Sequence, residues 1–390
     1  MHTNARRSLI LPPRLRSEHG LEAGRRVTWL ELFFDLVFVA AVAQVGTHLR
    51  DDYSVTGLLR FTFLFTLIWW AWLGHTTFST RFDTDDLVQR GLTWLQMFLV
   101  AVMAINATGA LDSRDSAGFA AAYSAMRFVL VAQYVRARHV RQARALTARY
   151  ATSCGVAALL WLLSALIPTP ARFWLWAIAL AIDIATPLLS TTHLVNVPHD
   201  AAHLPERYGL FSIILIGESM VAVMTGMGRQ EYWSVSAASS AILGMALVFA
   251  IWSWYFDGVE AVGERLVRST RDAVRFHIWS YIHFPLYLGI AVTGVGIEHV
   301  IVSATDAPLH SAEAWILCSA LAALMAAMIV IDATRSRDRL RVQVARVATP
   351  TILAVLALLL GLLGDRVMPA VLIAGLTLLC TGQLVHSLRR

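Results

Sequence analysis

Twelve apolar runs follow one another along the 390 residues, each bounded by charged residues, proline or glycine. A helix rising 1.5 Å per residue needs about 20 apolar residues to cross a hydrocarbon core of about 30 Å. The runs do not alternate as barrel strands do, so we predict helices. The predicted spans are 29–48, 58–77, 87–109, 117–136, 151–167, 171–190, 207–227, 234–256, 277–297, 311–331, 348–363 and 367–386. The fifth and eleventh are short enough to be halves of a re-entrant pair, so the number is twelve to within one or two.

The composition supports an all-α integral membrane protein. Hydrophobic residues make up 57% of the chain and charged residues only 15%, with mean hydropathy +0.61. Soluble domains carry about 25% charged residues, so this deficit excludes an ordinary soluble protein. The three cysteines lie in apolar runs without metal or disulfide spacing, and no nucleotide-binding or hydrolase motif is present. We therefore predict no cofactor and no ATP-driven transport.

Arginine placement predicts the orientation. The chain has no lysine, and its 32 basic residues are all arginine. With the N-terminus in the cytoplasm, the inside segments hold 25 arginines and the outside segments six, as the positive-inside rule requires. Both termini are then cytoplasmic, and residues 1–28 form a cytoplasmic tail. Because the arginines lie in short runs between apolar segments, the basicity indicates a lipid bilayer as partner rather than nucleic acid.

A weak internal similarity suggests two halves in parallel repeat. Leu32-Phe33 in the first span resembles Leu210-Phe211 in the seventh, and the second and eighth spans both end in tryptophan clusters. The predicted organisation is a first six-helix half over residues 29–200 and a second over residues 201–390, as in some transporters. Homo-oligomerisation is left open.

Two carboxylates lie at the start of the first span. Glu31 and Asp35 are four residues apart and therefore share one helical face. Such a pair could bind a cation, hold a proton between its members, or pair with arginine. For Glu31 the alternative is a cap on the first helical turn.

Other charged residues lie deeper in the membrane, where each costs at least ~2.5–3.5 kcal/mol. Glu218 follows Arg207 by eleven residues, which places it ~16 Å further along the helix, at mid-bilayer. Gly217 beside it would let another helix approach. The expected partners are Arg127 and Asp183, which lie near the middle of their spans. The alternative for Arg127 and Asp183 is a purely structural ion pair, and for Glu218 a satisfied packing residue.

A metal site is a weaker hypothesis. His199 and His203 are four residues apart, with Glu206 three further on, a spacing that resembles a divalent-metal site. Pro205 interrupts this pattern, and the alternative is that these are solvated loop side chains.

Three motifs together resemble a known family, the bacterial low temperature requirement protein A family. They are Glu31-Leu-Phe-Phe-Asp-Leu-Val-Phe-Val39, the stretch from His203 to Glu218, and Arg81-Phe82-Asp83 after the tryptophan-rich end of the second span. The resemblance runs from about residue 25 to the C-terminus and implies a multi-pass protein of the bacterial inner membrane, but no agreed activity. The family-typical positions are Glu31, Asp35, His203, Glu206, Arg207, Gly209, Gly217 and Glu218.

The leading functional hypothesis is a secondary transporter or channel-like permease, with protons as one coupling ion. Its path for a small solute, ion or lipid would use Glu31, Asp35, Arg127, Asp183 and Glu218. One alternative is an intramembrane enzyme that acts on a lipid or isoprenoid with a buried Glu or Asp as general acid. The other is a membrane sensor or scaffold without turnover.

Overall fold

The computed structural model describes residues 10–16, 27–84, 86–112, 114–260, 265–303, 307–334 and 340–388. Most of the predicted cytoplasmic tail, residues 1–28, therefore lies outside the described residues. Within the described part, thirteen α-helices and one two-stranded antiparallel sheet are present.

The elements run in chain order as follows. They are β1 (Arg14–Leu15), α1 (Trp29–Asp51), α2 (Val55–Ser79), β2 (Phe82–Asp83), α3 (Leu87–Ala110), α4 (Ser116–Arg136), α5 (Arg144–Leu166), α6 (Ala171–Leu188), the short α7 (Thr191–Asn196), α8 (His203–Gly228), α9 (Val235–Ser253) with a π-helical extension to Glu260, α10 (Thr270–Val302), α11 (Ser311–Ala333), α12 (Leu340–Leu362) and α13 (Pro369–Leu388).

The prediction of an all-α membrane protein is confirmed. Leaving out α7, the twelve longer helices of the described residues correspond one to one with the twelve predicted runs. Ten of them are long and apolar enough to cross a membrane; α4 falls outside that set, and the apolar part of α12, Val347–Leu362, is shorter. The fifth run is not short after all, because α5 begins at Arg144 rather than at residue 151.

Capping side chains account for several helix starts. Asp86 precedes α3, and its carboxylate accepts a hydrogen bond from the amide of Gln89 at 2.8 Å. Ser234 precedes α9 and accepts from the amide of Ala237 at 3.0 Å. These bonds satisfy amides that have no partner within the helix, so the polar residues between apolar runs define where the helices begin.

The chain divides into two compact units. Unit 1 comprises residues 1–45, 66–208 and 264–274; unit 2 comprises residues 46–65, 209–263 and 275–390. Helices α1, α2, α8 and α10 each contribute residues to both. The division into residues 29–200 and 201–390 rests on a proposed repeat and stays a prediction.

Unit 1 is organised around aromatic side chains. Tyr123, Trp161 and Trp176, from α4, α5 and α6, are fully buried and lie in ring contact. A second cluster surrounds Phe78 and Tyr134, whose ring centroids are 5.1 Å apart. The short β1 pairs with β2 here, so the N-terminal segment packs against the chain that follows α2.

Unit 2 depends on small residues where its helices come close. At Gly289 in α10, an added Cβ would lie 2.8 Å from the backbone oxygen of Ala320 in α11. At Gly217, by contrast, it would meet nothing within 4 Å. The structure therefore contradicts the expectation that Gly217 permits close helix approach and gives that role to Gly289.

These two glycines form a matched pair for a stability test. Gly289→Ala should destabilise the protein by about 1–3 kcal/mol, because backbone atoms of α11 would have to move. Gly217→Ala should be neutral or stabilise by up to about 1 kcal/mol, because alanine favours a helix interior. Thermal unfolding of the two purified variants in one detergent measures the difference. Equal stabilities would contradict the close packing of α10 on α11.

Candidate functional site

The first charged cluster lies in unit 1, at the start of α1. Glu31 and Thr28 form a capping box: the Glu31 carboxylate accepts from the Thr28 amide at 2.9 Å, and the Thr28 hydroxyl accepts from the Glu31 amide at 3.3 Å. The other Glu31 oxygen accepts from Nε2 of His203 at 3.1 Å and lies 3.5 Å from Arg16 and 3.6 Å from Arg207. Glu31 is therefore both a helix cap and a member of an ion network.

Asp35 is held by the most complete set of bonds in this cluster. Both its oxygens are bound by Arg207, from Nε at 2.9 Å and from Nη2 at 2.5 Å. The indole of Trp72 donates a third bond at 2.7 Å. Asp35 and Arg207 are both 0% exposed. A bidentate, charge-assisted pair with an added donor is the arrangement that best offsets the burial of both charges.

A second buried pair in unit 1 joins α4 to α6. Nε of Arg127 lies 3.0 Å from Oδ2 of Asp183, and both side chains are at most 2% exposed. Nη2 of Arg127 also donates to the Tyr123 hydroxyl at 2.6 Å. Gly74 on α2 leaves room for this arginine, since a Cβ there would lie 2.9 Å from Nη1. This contact matches the alternative in which Arg127 and Asp183 form an ion pair of their own.

The charged cluster of unit 2, here named the Arg50 cluster, contains Arg50, Glu218, Arg229 and Glu298. Nε of Arg50 donates to Glu298 at 2.8 Å, and its Nη2 donates to Glu218 at 3.4 Å. Arg229 also donates to Glu298, at 3.3 Å. The Glu298 side chain is 2% exposed, whereas that of Glu218 is 27% exposed. One arginine is thus shared unequally between two carboxylates.

Sequence reasoning missed three members of the Arg50 cluster, namely Arg50, Arg229 and Glu298. It placed Arg50 in an outside loop and ended the ninth run at residue 297, one residue before Glu298. In the structure, α1 continues to Asp51 and α10 to Val302, so both residues are helical. Extending each predicted helix beyond its apolar run, into the charged residues that follow, would have made both residues helical. Arg127, the partner suggested for Glu218, pairs with Asp183 instead, and the arginine beside Glu218 is Arg50.

The predicted metal site gains no support from the geometry. His203 lies beside Glu206, with 3.8 Å between Nδ1 and the carboxylate, but it donates to Glu31 instead. His199 contacts the guanidinium of Arg81 at 2.9 Å. Within the described ranges, no group of three or more His, Cys, Asp or Glu residues is arranged to hold a metal ion.

The remaining family-motif positions surround the first turns of α8. Glu206 lies in the first turn, and its side chain is 42% exposed. Gly209 is buried, and Gly217 lies on an exposed part of the helix. The motif therefore combines buried ionic residues with positions that face outward.

These features define a polytopic α-helical membrane protein with paired charges inside its helices. Comparison with known proteins agrees: the model of the bacterial low temperature requirement A protein (LtrA) matches residues 26–381. The chain belongs to this family. It is 27% identical to an uncharacterized protein of Rhizobium meliloti (strain 1021) over 286 residues, covering 70% of this chain and 68% of that protein. No solved structure matches.

The Asp35–Arg207 pair is open to a double-mutant test. Asp35→Asn should destabilise the protein by about 3–5 kcal/mol, because it leaves Arg207 as a buried charge without its main partner. Adding Arg207→Gln should recover part of that loss, giving a coupling energy of at least about 1 kcal/mol. Denaturation of the two single variants and the double variant in one detergent measures it.

Glu206→Gln is the matched control, since it removes a neighbouring carboxylate that is largely exposed. Its effect should remain within about 0.5 kcal/mol. If the Asp35 and Arg207 effects simply add, the pair is not the stabilising unit described here.

Proposed function

We propose that this protein is a secondary transporter of the bacterial inner membrane, in which Glu218 carries a proton or a small cation. The proposal rests on one observation above all, the unequal sharing of Arg50 between Glu218 and Glu298. To carry a proton or cation, a carboxylate inside the membrane must be able to change partners without leaving another charge unpaired.

Glu218 meets that requirement. Its bond to Arg50 is long, at 3.4 Å, and its side chain is partly exposed. When a proton or cation takes the place of Arg50 at Glu218, Arg50 still keeps its shorter bond to Glu298. The exchange therefore leaves no uncompensated arginine, and its free-energy change is correspondingly small.

Asp35 has the opposite properties, which supports a positioning role for it. Its two oxygens are occupied by three donors, and it is fully buried with Arg207. Releasing it would leave a buried guanidinium without its main carboxylate, at a cost of several kcal/mol. Arg127 and Asp183 form a second fully buried ion pair, with 3.0 Å between Nε and Oδ2. We therefore assign the exchange step to Glu218 and a structural role to these two pairs.

The charge distribution supports an orientation with both termini in the cytoplasm. Twenty-five arginines then lie on the inner side and six on the outer side. Glu31, Asp35 and His203 would face the cytoplasmic end of the protein.

A scaffold without turnover is the second candidate, and the buried Arg127–Asp183 pair favours it. Its carboxylate and guanidinium balance each other's charge at 3.0 Å in a fully buried position, as expected of an ion pair that only specifies packing. The two candidates differ in what they predict for Glu218.

The transport proposal is tested in liposomes that enclose a pH-sensitive dye. Purified wild-type protein should admit protons when a pH gradient is imposed, with sodium or potassium present on either side. Glu218→Gln should abolish the flux, because the amide can neither carry a proton nor pair with a cation. The substitution should lower stability by no more than about 1 kcal/mol, since the Glu218 ion pair is long and partly exposed.

Glu231→Gln is the control, because Glu231 is an exposed carboxylate just beyond the end of α8. It should leave the flux unchanged. Wild-type liposomes without flux under every gradient would count against transport and for the scaffold. Full flux with Glu218→Gln would contradict the assignment of the exchange step to Glu218.

Reporter fusions test the orientation. Alkaline phosphatase, which is active only outside the cytoplasm, should be inactive when fused after Arg390. It should be active when inserted at Glu231, between α8 and α9. The reversed pattern at both positions would overturn the orientation without affecting the helix assignments.

A further inference from the structure

Arg81, outside the clusters described above, is a buried cation in a fixed position. It follows α2 directly in unit 1 and is only 2% exposed. Its amide donates to the carbonyl of Phe78 at 3.1 Å, and its carbonyl accepts from the amide of Arg16 at 3.1 Å. These two bonds hold the backbone of Arg81 in place on both sides.

Among the described residues, the groups that contact this guanidinium carry no negative charge. Nη2 lies 2.9 Å from Nε2 of His199. Because a guanidinium only donates, Nε2 must accept, so this histidine is neutral with its proton on Nδ1. The ring centroid of Tyr150 is 6.0 Å from the guanidinium carbon, and the Tyr134 ring lies 5.0 Å from that of Tyr150.

The other buried arginines of unit 1 show what Arg81 lacks. Arg127 and Arg207 each have a carboxylate within 3.0 Å. Arg172 has backbone carbonyl oxygens at 2.8 and 3.0 Å. In the described part of the chain, Arg81 has neither a carboxylate nor a backbone carbonyl oxygen at such a distance. Its Nε and Nη1 are buried without a hydrogen-bond partner there. The buried hydroxyl of Tyr134 also has no partner there.

A guanidinium cannot lose its proton in a protein, so its charge must be matched by another group. We propose that Arg81 is the centre of a binding site for a phosphate-class oxyanion, with the Tyr134 hydroxyl as a further donor. Nε, Nη1 and the hydroxyl provide donors only, as a fully ionised oxyanion requires. Under the orientation proposed above, the site lies at the cytoplasmic ends of the helices.

This inference goes beyond the proposed transport function and does not depend on it, because binding is expected whether or not the chain moves ions. The oxyanion has two sources, free phosphate in the cytoplasm and the phosphate headgroup of a lipid. Both present the same oxygens to Arg81, so the experiment must separate them.

The test uses the full chain in dodecyl maltoside micelles, which contain no phosphate, and two probes. In one arm, inorganic phosphate is titrated against chloride at constant ionic strength; in the other, phosphatidic acid is added to the micelles in phosphate-free buffer. The thermal midpoint of the wild type should rise with at least one probe, because a ligand of the folded state stabilises it. The probe that raises the thermal midpoint identifies the source of the oxyanion.

Arg81→Gln should weaken binding of that probe at least about tenfold, since it removes a charged hydrogen-bond donor. Arg138→Gln, at an exposed arginine after α4, should bind as the wild type does. Without either probe, Arg81→Gln should be at least as stable as the wild type, because it removes a buried charge for which the described residues provide no counterion.

Tyr134→Phe gives an independent variant in which Arg81 is intact. It should weaken binding about fivefold through loss of one neutral hydrogen bond, and it decides the matter if Arg81→Gln fails to fold. A wild type indifferent to both probes would overturn the proposal. So would an Arg81→Gln or Tyr134→Phe variant that responds as strongly as the wild type.

Discussion

Charge buried among apolar helices must be neutralised where it lies, and the Asp35–Arg207 pair is the strongest case. Since successive residues of a helix are about 100° apart, a shift of one position in α1 would turn Asp35 away from Arg207. Two guanidinium bonds and one indole bond therefore fix the rotation of α1, and they hold its first turns against Trp72 in the C-terminal half of α2 and Arg207 near the start of α8. Glu31 adds to this, because one carboxylate caps α1 and also receives His203 of α8.

The Arg50 cluster obeys the same constraint in a different way. Asp35 has one arginine bound to both its oxygens, whereas Arg50 divides its nitrogens between two carboxylates at 2.8 and 3.4 Å. The first arrangement has one strongly preferred state. The second keeps Arg50 paired when one carboxylate leaves, and Arg229 gives Glu298 a second cation. Charges that specify packing and charges that can exchange partners thus differ in how their hydrogen bonds are shared.

The helices were predictable because the bilayer imposes a length and an apolar composition that each run displays by itself. The bilayer also made the charged residues within the apolar runs identifiable as candidates, because a charge in the hydrocarbon region requires a compensating partner. These residues are Glu31, Asp35, Arg127, Asp183 and Glu218. Partners were harder to predict. Arg50 and Glu218 are 168 positions apart, and their contact depends on how far α1 extends and how it is rotated. Hydropathy determines neither, so Arg50 was assigned to a loop. The prediction that Gly217 permits close helix approach was wrong for a similar reason, because a sequence does not show which face of α8 has a neighbouring helix.

The exclusive use of arginine has a physical consequence at these sites. A lysine ammonium is a single point charge, whereas a guanidinium presents separate donors in a fixed plane. Arg207 uses Nε and Nη2 for Asp35 while Nη1 lies near Glu31, and Arg50 uses Nε and Nη2 for two different glutamates. A lysine at either position could not match this geometry. At Arg50 this geometry supports the proposed exchange step, because simultaneous contact with two carboxylates would allow one of them to leave while the cation stays paired.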